Sequence, residues 1–94
     1  MIVSFADKET EKVFYEITST KLPNNIQRQA SRKLRLLNCA ISVTDLSSIP
    51  GNRFEKLKGN LEGKWSIRIN SQWRIIFSIN DDGDFEEVEI VDYH

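Results

Sequence analysis

Hydrophobic and polar residues alternate one by one along residues 64–79, and this pattern predicts two neighbouring β-strands. The apolar residues that share one face are Trp65, Ile67, Ile69, Trp73, Ile75, Phe77 and Ile79. Ser71 and Gln72 interrupt the alternation and mark a turn between the strands. Because successive side chains of a strand point to opposite faces, this segment is expected to form an antiparallel ribbon with one face in the core.

The other face of the ribbon is polar except for Ile76, and it carries Arg68 and Arg74. Burial of an unpaired guanidinium is costly, so both arginines are expected on the face that meets solvent or a ligand. The wider segment 53–77 contains six cations and two acids, which gives it a charge of +4. The cations are Arg53, Lys56, Lys58, Lys64, Arg68 and Arg74. A basic patch of this kind attracts a polyanion, and RNA is the expected ligand.

Two segments before the ribbon show the spacing of amphipathic helices. Asp7 is the expected N-cap of a first helix over about residues 8–19, with Val13, Phe14 and Ile17 on its apolar face. Pro23 ends this segment, because a proline disfavours helix at the residue before it. A second helix is expected over about residues 26–40. Its apolar positions are Ile26, Ala30, Leu34, Leu37 and Ile41.

The remaining segments predict short strands and one loop. Strands are expected at residues 2–5, with Val3 and Phe5 inward, and at residues 53–57 and 85–91. Residues 44–52 are expected to form a loop that turns at Pro50 and Gly51. The order β-α-α-β-β-β-β predicts an α+β fold with two helices on one face of a small, mainly antiparallel sheet. Residues 1–94 are long enough for one core and are expected to form a single domain.

Composition limits the compartment and the cofactors. Cys39 and His94 are the single cysteine and the single histidine, so neither an internal disulfide nor a zinc site is expected. No cofactor is expected either. A charged-then-apolar leader and a bilayer-length apolar run are both missing, which favours a cytoplasmic protein without membrane contact. The net charge is −1, but residues 25–40 carry +4 and residues 80–94 carry −7, so the positive charge is local.

Three residues are candidates for acid–base and phosphate chemistry. Glu55 lies among cations that favour its carboxylate, which can accept a proton; the alternative is a surface ion pair. His94 is followed only by its own terminal carboxylate, which with Asp92 favours an imidazolium suited to act as an acid; the alternative is a frayed end. Arg74 can bind a phosphate through paired hydrogen bonds. Together these are the parts of metal-free RNA cleavage, in which the ribose 2′-hydroxyl attacks the adjacent phosphate.

Three motifs of the chain resemble those of a known family. They are L-K-G-N-x-x-G-x-W-S-I-R at residues 57–68, W-R-I-x-F at residues 73–77 and the closing D-Y-H. In this combination, and over essentially the whole chain, the sequence resembles the HigB branch of the RelE/ParE superfamily, the toxins of type II toxin–antitoxin pairs. The resemblance implies the RelE-like microbial ribonuclease fold and metal-independent cleavage of mRNA in the ribosomal A site. It also implies neutralisation by a HigA-type helix-turn-helix antitoxin, through which alone the toxin meets operator DNA.

The resemblance also assigns roles to individual residues. It implies a catalytic role for the closing Asp92, Tyr93 and His94 and for the strand residue Arg74. Toxins of the related YoeB type place a catalytic glutamate before L-K-G, which falls on Glu55, whereas some HigB proteins carry histidine there. The residues with an implied role in phosphate binding are Arg53, Lys56, Lys58 and Arg68.

Two other functions remain open at this point. One is the ParE-like inhibition of DNA gyrase, against which the presence of Glu55, Arg74 and His94 weighs. The other is a non-catalytic module that only binds nucleic acid; it predicts that His94→Ala is silent, whereas a ribonuclease would keep binding and lose cleavage. Trp65 and Trp73 can stack on bases, but their parity with the apolar face favours core packing.

Overall fold

The computed structural model describes residues 1–48 and 51–92, and within these ranges three helices precede a four-stranded sheet. The helices are α1 (Lys8–Phe14), α2 (Asn24–Cys39) and α3 (Val43–Ser47). The strands are β1 (Glu55–Lys56), β2 (Trp65–Arg68), β3 (Trp73–Ile79) and β4 (Phe85–Asp92), with a short 3₁₀ turn at Gly59–Leu61. The sheet is antiparallel in the order β1-β2-β3-β4, so the expected α+β class is confirmed. No helix in the described ranges is long and apolar enough to cross a membrane.

The N-terminal segment lies along the free edge of β4. The strand predicted at residues 2–5 is not formed: Ile2 and Phe5 make only isolated parallel bridges with Phe85 and Val88. The expected inward orientation of Val3 is wrong, because 49% of this residue is exposed. Phe5 packs against the core as predicted, and Ile2 takes the place expected for Val3.

Helix α1 begins where the sequence predicts but ends earlier. Asp7 is its N-cap and accepts a hydrogen bond from the Thr10 amide at 2.7 Å. The helix ends at Phe14, because Glu16 adopts a left-handed backbone conformation with φ of 61° that helix cannot continue through. Ile17 therefore lies outside the helix and is 55% exposed, so its assignment to the apolar face was wrong.

Helix α2 packs against the sheet through the residues that its periodicity predicts, Ile26, Ala30, Leu34 and Leu37. Ile41 lies beyond the end of this helix and is 91% exposed. The prediction that Ile41 belongs to the apolar face of the helix is therefore wrong. The expected loop at 44–52 contains the short helix α3. A capping box between Ser42 and Asp45 stabilises its first turn, a local signal that the loop assignment overlooked. Pro50 lies outside the described residues.

Strands β2 and β3 form the predicted ribbon. Trp65 lies opposite Phe77 and Ile67 opposite Ile75, so these residues share the face that packs on the helices. The side-chain oxygen of Asn70 accepts hydrogen bonds from the amides of Gln72 and Trp73, both at 2.8 Å, which tightens the turn between the strands. The core therefore lies between one sheet face and helices α1 and α2, as the alternation predicts.

Candidate active site around Arg74

Arg74 is the central polar residue of the sheet, and it is buried with 8% exposure. The sequence predicts Arg74 on the face that meets solvent or a ligand; it lies on that face of the sheet but is buried there. Its Nη1 donates to Ser66 Oγ at 3.0 Å and to the Arg53 carbonyl at 3.3 Å, and its Nη2 lies 3.5 Å from Glu55 Oε1. These partners offset the desolvation of the guanidinium, which explains how an arginine can be buried at this position.

The strand register brings the polar partners to one face. Glu55 lies opposite Ser66, and Arg68 lies opposite Arg74. Residues directly across a pair of strands point to the same side of the sheet. Because Ile67 and Ile75 face the helices, the neighbours Ser66, Arg68 and Arg74 project from the opposite face. The structure thus brings Glu55, Arg68 and Arg74 together, on the side of the sheet away from the helical core.

The connection that leads into β1 is anchored by a buried asparagine. Asn52 is 1% exposed; its side-chain amide donates to the Leu46 carbonyl at 3.1 Å, and its side-chain oxygen accepts from Lys33 Nζ. Its backbone carbonyl accepts from the Arg68 amide at 2.6 Å. Asn52 therefore ties α2, α3 and β2 together. The next residue is Arg53, whose φ of 46° turns its carbonyl to within reach of Arg74.

The electrostatics of this face favour an anionic ligand. Arg68 and Arg74 stand directly opposite each other, and like charges in that position repel. Glu55 meets Arg74, whereas the Arg68 side chain has no carboxylate partner among residues 1–48 and 51–92. A phosphate between the two guanidinium groups would relieve the repulsion and accept hydrogen bonds from both. Burial also lowers the pKa of Lys33, whose ammonium group donates a hydrogen bond to the side-chain oxygen of Asn52.

Four other predicted site residues, Arg53, Lys56, Lys58 and Asp92, lie within the described ranges. Lys56 Nζ sits 5.7 Å from the centre of the Trp65 ring, and its register partner Trp65 faces the core side. Lys58 is exposed before the 3₁₀ turn, and the Arg53 side chain is exposed although its carbonyl belongs to the site. Asp92 lies opposite Trp73 and accepts a hydrogen bond from Gln72 Nε2 at 3.1 Å. Tyr93 and His94 lie outside the described residues.

Two contributors to this site were not identified from the sequence. Ser66 is fully buried beneath the Arg74 guanidinium. The sequence signal for Ser66 was its position in the alternating W-S-I-R motif, which places it on the same face of the strand as Arg68. Asn52 lacked such a signal, since a polar residue after a proline–glycine turn is ordinarily exposed. In the described part of the chain, no group of three or more histidine, cysteine, aspartate or glutamate residues could hold a metal ion.

Trp65 and Trp73 are half-buried and pack against the core. The Trp65 ring stacks on Phe54, with centroids 4.8 Å apart and an angle of 3° between the rings. This arrangement confirms core packing over base stacking as the structural role of these residues.

The chain is similar in sequence to known toxins. A family model described as a RelE-like toxin of the type II toxin–antitoxin system HigB matches residues 3–94. The chain is 44% identical over 78 residues to Toxin HigB-1 of Vibrio cholerae, and the match covers 82% of both chains. It is 29% identical over 94 residues to Endoribonuclease HigB of Proteus vulgaris, with both chains covered completely.

The likeness extends to solved structures. A chain of the heterotetrameric YoeB-YefM toxin-antitoxin complex from Staphylococcus aureus matches with a TM-score of 0.61 at 20% identity. The match covers 100% of this chain and 98% of that chain. At this identity the likeness concerns the fold alone, and it confirms the expected RelE-like fold.

Proposed function

Because this chain belongs to the HigB-like family of RelE-like toxins of type II toxin–antitoxin systems, we propose that it is an endoribonuclease that cleaves messenger RNA on the ribosome. The family membership supports the toxin role, and the Proteus vulgaris relative carries the name Endoribonuclease HigB. The observation that carries the proposal is the buried Arg74, held by Ser66 and the Arg53 carbonyl beside the Glu55 carboxylate. A fixed cation next to a possible base suits phosphodiester cleavage.

In this proposal, one residue of the chain accepts a proton from the RNA and another donates a proton to it. Glu55 accepts the proton of the ribose 2′-hydroxyl, whose oxygen attacks the adjacent phosphorus and forms a 2′,3′-cyclic phosphate. Arg74 and Arg68 donate hydrogen bonds to the phosphoryl oxygens, on which negative charge grows in the transition state. His94 donates a proton to the leaving 5′-oxygen. No metal is needed for these steps, because the RNA supplies its own nucleophile.

The closing residues are proposed to complete the site from the end of β4. Asp92 ends this strand and lies opposite Trp73, the residue next to Arg74 along β3. Tyr93 and His94 follow Asp92 directly in the sequence. In the proposed roles Asp92 favours the protonated form of His94, and Tyr93 orients the substrate or replaces the acid.

The phosphate groups on either side of the cleaved bond are proposed to bind the exposed cations Arg53 and Lys58. Lys56 lies over Trp65 and would have to leave that ring to join them. Its contribution to RNA binding is therefore expected to be smaller than that of Arg68, which lies directly opposite Arg74.

The proposed partners are a HigA-type helix-turn-helix antitoxin and the ribosomal A site in the cytoplasm. The YoeB-YefM complex is a toxin–antitoxin assembly that contains a chain of similar fold, which supports an antitoxin partner in general. Contact with operator DNA is proposed to run only through that antitoxin.

The deciding experiment is controlled expression in bacteria, with growth curves and primer extension on a translated reporter and on a copy without a ribosome-binding site. The wild type is expected to arrest growth and to cleave only the translated message. Arg74→Lys, which retains the charge but not the paired hydrogen bonds, is expected to cleave at least about 10²-fold more slowly. The rate of cleavage by His94→Ala is expected to fall by about 10²–10⁴-fold, the usual contribution of a general acid.

Each other outcome would contradict a different part of the proposal. Growth arrest without cleavage would contradict the ribonuclease and direct attention to gyrase, which supercoiling of a reporter plasmid would reveal. Cleavage that persists in His94→Ala would keep the ribonuclease and assign the acid to another residue, with Tyr93→Phe as the next variant. Equal cleavage of both messages would remove the ribosome from the proposal.

A further inference from the structure

The outer face of the sheet, which lies away from the helices and carries Arg68, also holds an ion pair. Lys64 precedes β2, and its Nζ reaches over β3 to lie 3.0 Å from Glu87 Oε2 in β4. On the way it donates to Ser78 Oγ at 3.4 Å. Lys64 lies four residues before Arg68, a separation of about 13 Å along a strand. Glu87 therefore neutralises a cation of the basic segment 53–77 near the proposed RNA site.

Glu87 reaches this position through a β-bulge. Phe85 and Val88 are both buried in the core although they are three positions apart, which a regularly alternating strand cannot achieve. The register between β3 and β4 shifts at this point, so that β4 accommodates one additional residue. Glu87 has a φ of 52°, and its amide donates to Ser4 Oγ at 2.9 Å. The bulge leaves its side chain 65% exposed and beside Lys64.

This backbone conformation is unusual for a glutamate. The left-handed region is disfavoured for a residue with a β-carbon, and glycine or asparagine adopts it more readily. The bulge itself thus gives no reason for a glutamate at position 87. Within residues 1–48 and 51–92, the ion pair with Lys64 is the only one that the Glu87 carboxylate makes. The carboxylate, rather than the backbone, is therefore the feature that points to a function.

Further carboxylates lie at the same end of the outer face. The register with β3 places Glu86 and Glu89 on the side of the sheet that carries Arg74. Burial and Asp7 raise the pKa of Glu89, whereas Lys64 acts in the opposite direction, so the charge of Lys64 also compensates this second acid. The end of the face near Lys64 therefore repels the phosphates of RNA, and the end near Arg74 attracts them.

We propose that Glu87 is a specificity-determining residue, which holds Lys64 away from RNA and confines phosphate binding to the end of the face with Arg68 and Arg74. The inference rests on the proposed ribonuclease function and adds a physical reason for its dependence on the ribosome. With Lys64 neutralised, free RNA makes too few phosphate contacts to remain bound. The ribosome holds a message at the site without these contacts.

The test measures binding of a fluorescent single-stranded RNA to the purified toxin in a His94→Ala background, which is expected to keep binding and lose cleavage. Glu87→Gln is expected to bind about three- to tenfold more tightly, because Lys64 becomes free to contact one further phosphate. The slope of log affinity against log salt concentration is expected to become more negative by about 0.7, the value for one contact with a single strand. Lys64→Ala alone is expected to change the affinity little.

A double variant separates the release of Lys64 from a general change in charge. Glu87→Gln/Lys64→Ala is expected to bind like Lys64→Ala, without the gain. Glu11→Gln is the matched control, because it removes one exposed carboxylate on α1, at the helical side, and is expected to leave the affinity unchanged. Arg68→Ala is expected to weaken binding in every background, which locates the RNA on the outer face. Glu87→Asn removes the same charge with a residue suited to the left-handed backbone, so a loss of folding cannot explain a shared result.

A second readout uses the toxin with His94 intact and the two reporter messages. Glu87→Gln is expected to cleave the copy without a ribosome-binding site, which the wild type leaves intact. Cleavage of the translated message is expected to stay close to the wild-type rate, because the ribosome supplies the substrate in both cases. Primer extension measures both messages.

Four results would overturn the inference. Unchanged affinity of Glu87→Gln, with Arg68→Ala still weakened, would show that Glu87 does not restrict binding and would leave the proposed function intact. A gain that persists in Glu87→Gln/Lys64→Ala would assign the effect to net charge. A loss in Lys64→Ala as large as in Arg68→Ala would show that Lys64 already binds phosphate despite its ion pair. An RNA affinity that none of these variants changes would remove the RNA-binding face, and with it the proposed function.

Discussion

At the scale of single residues, Arg74 combines burial with a charge that can act on a ligand. Its three hydrogen-bonding partners come from β1, β2 and the segment before β1, so the guanidinium is oriented before any substrate arrives. Preorganised donors stabilise a transition state more than mobile ones, because no reorganisation is needed during the reaction. Glu55 differs, since 46% of its side chain is exposed. It is therefore free to meet a ribose while it stays beside Arg74.

Glu55→Gln tests the proposed base at this scale. Cleavage is expected to fall by about 10²–10⁴-fold, because glutamine cannot accept the proton. The thermal unfolding midpoint is expected to change little, since ion pairs of exposed carboxylates contribute about 0–1 kcal/mol. Primer extension and thermal unfolding measure the two effects. Glu62→Gln, an exposed acid of the same basic segment, is the control; equal activity of both variants would place the base elsewhere.

At the scale of elements, the segment between α3 and β1 decides where the site residues lie. Asn52 holds it to α2, α3 and β2 through three hydrogen bonds. The Arg53 carbonyl and Glu55 follow within three residues and both contact Arg74. Strand β1 itself has only two residues, and it is a sheet edge. Asn52 is therefore expected to position Glu55 rather than to contact the RNA.

Asn52→Ala is expected to destabilise the fold by about 1–3 kcal/mol, because the Leu46 carbonyl and Lys33 lose a buried partner. The unfolding midpoint should drop by about 4–8 °C per kcal/mol for a domain of this size. Cleavage is expected to fall below that of the wild type even at temperatures where the variant is folded. Asn60→Ala, at an exposed position of the 3₁₀ turn, controls for loss of an amide. Reduced stability with full cleavage would show that Asn52 has no positioning role.

At the scale of the whole molecule, acids and cations are separated over the sheet. The acids of β4 and of the turn before it contrast with the cations of α2 and of residues 53–77. Glu89 is an acid of β4 whose ionised form is disfavoured by its surroundings. Burial raises the pKa of Glu89, Asp7 raises it further, and Lys64 acts in the opposite direction. When the pKa of a carboxyl group is higher in the folded state than in the unfolded state, the ionised form of the group lowers the stability of the fold.

Glu89→Gln is therefore expected to raise the stability of the molecule at pH 7. The sign follows from linkage: the folded state binds the Glu89 proton more tightly than the unfolded state, so the contribution of this group is lost as pH rises through its raised pKa. The advantage of the variant should vanish below about pH 4, where the carboxyl is protonated in both states. Thermal unfolding between pH 3 and pH 8 measures this, with Glu86→Gln on the same strand as a control for net charge. A gain that is independent of pH would contradict the explanation.

Much of this fold could be predicted from the sequence because the relevant signals are local. The period of two in residues 64–79 and the helical spacing in residues 26–37 depend only on backbone geometry. Asp7 likewise caps α1 through a contact three residues away. The α+β class, the buried face of the ribbon and the inner face of α2 follow from such spacing. The resemblance assigned roles to Glu55, Arg68 and Arg74, whereas alternation alone assigned only the faces of the two arginines.

The tertiary structure alone decided how these residues meet. Burial of Arg74 depends on Ser66 and on the Arg53 carbonyl, which come close only when three strands align. The role of Asn52 depends on Lys33, 19 residues earlier in the chain. Contacts between distant segments have no period in the sequence, and for that physical reason only the folded molecule reveals them.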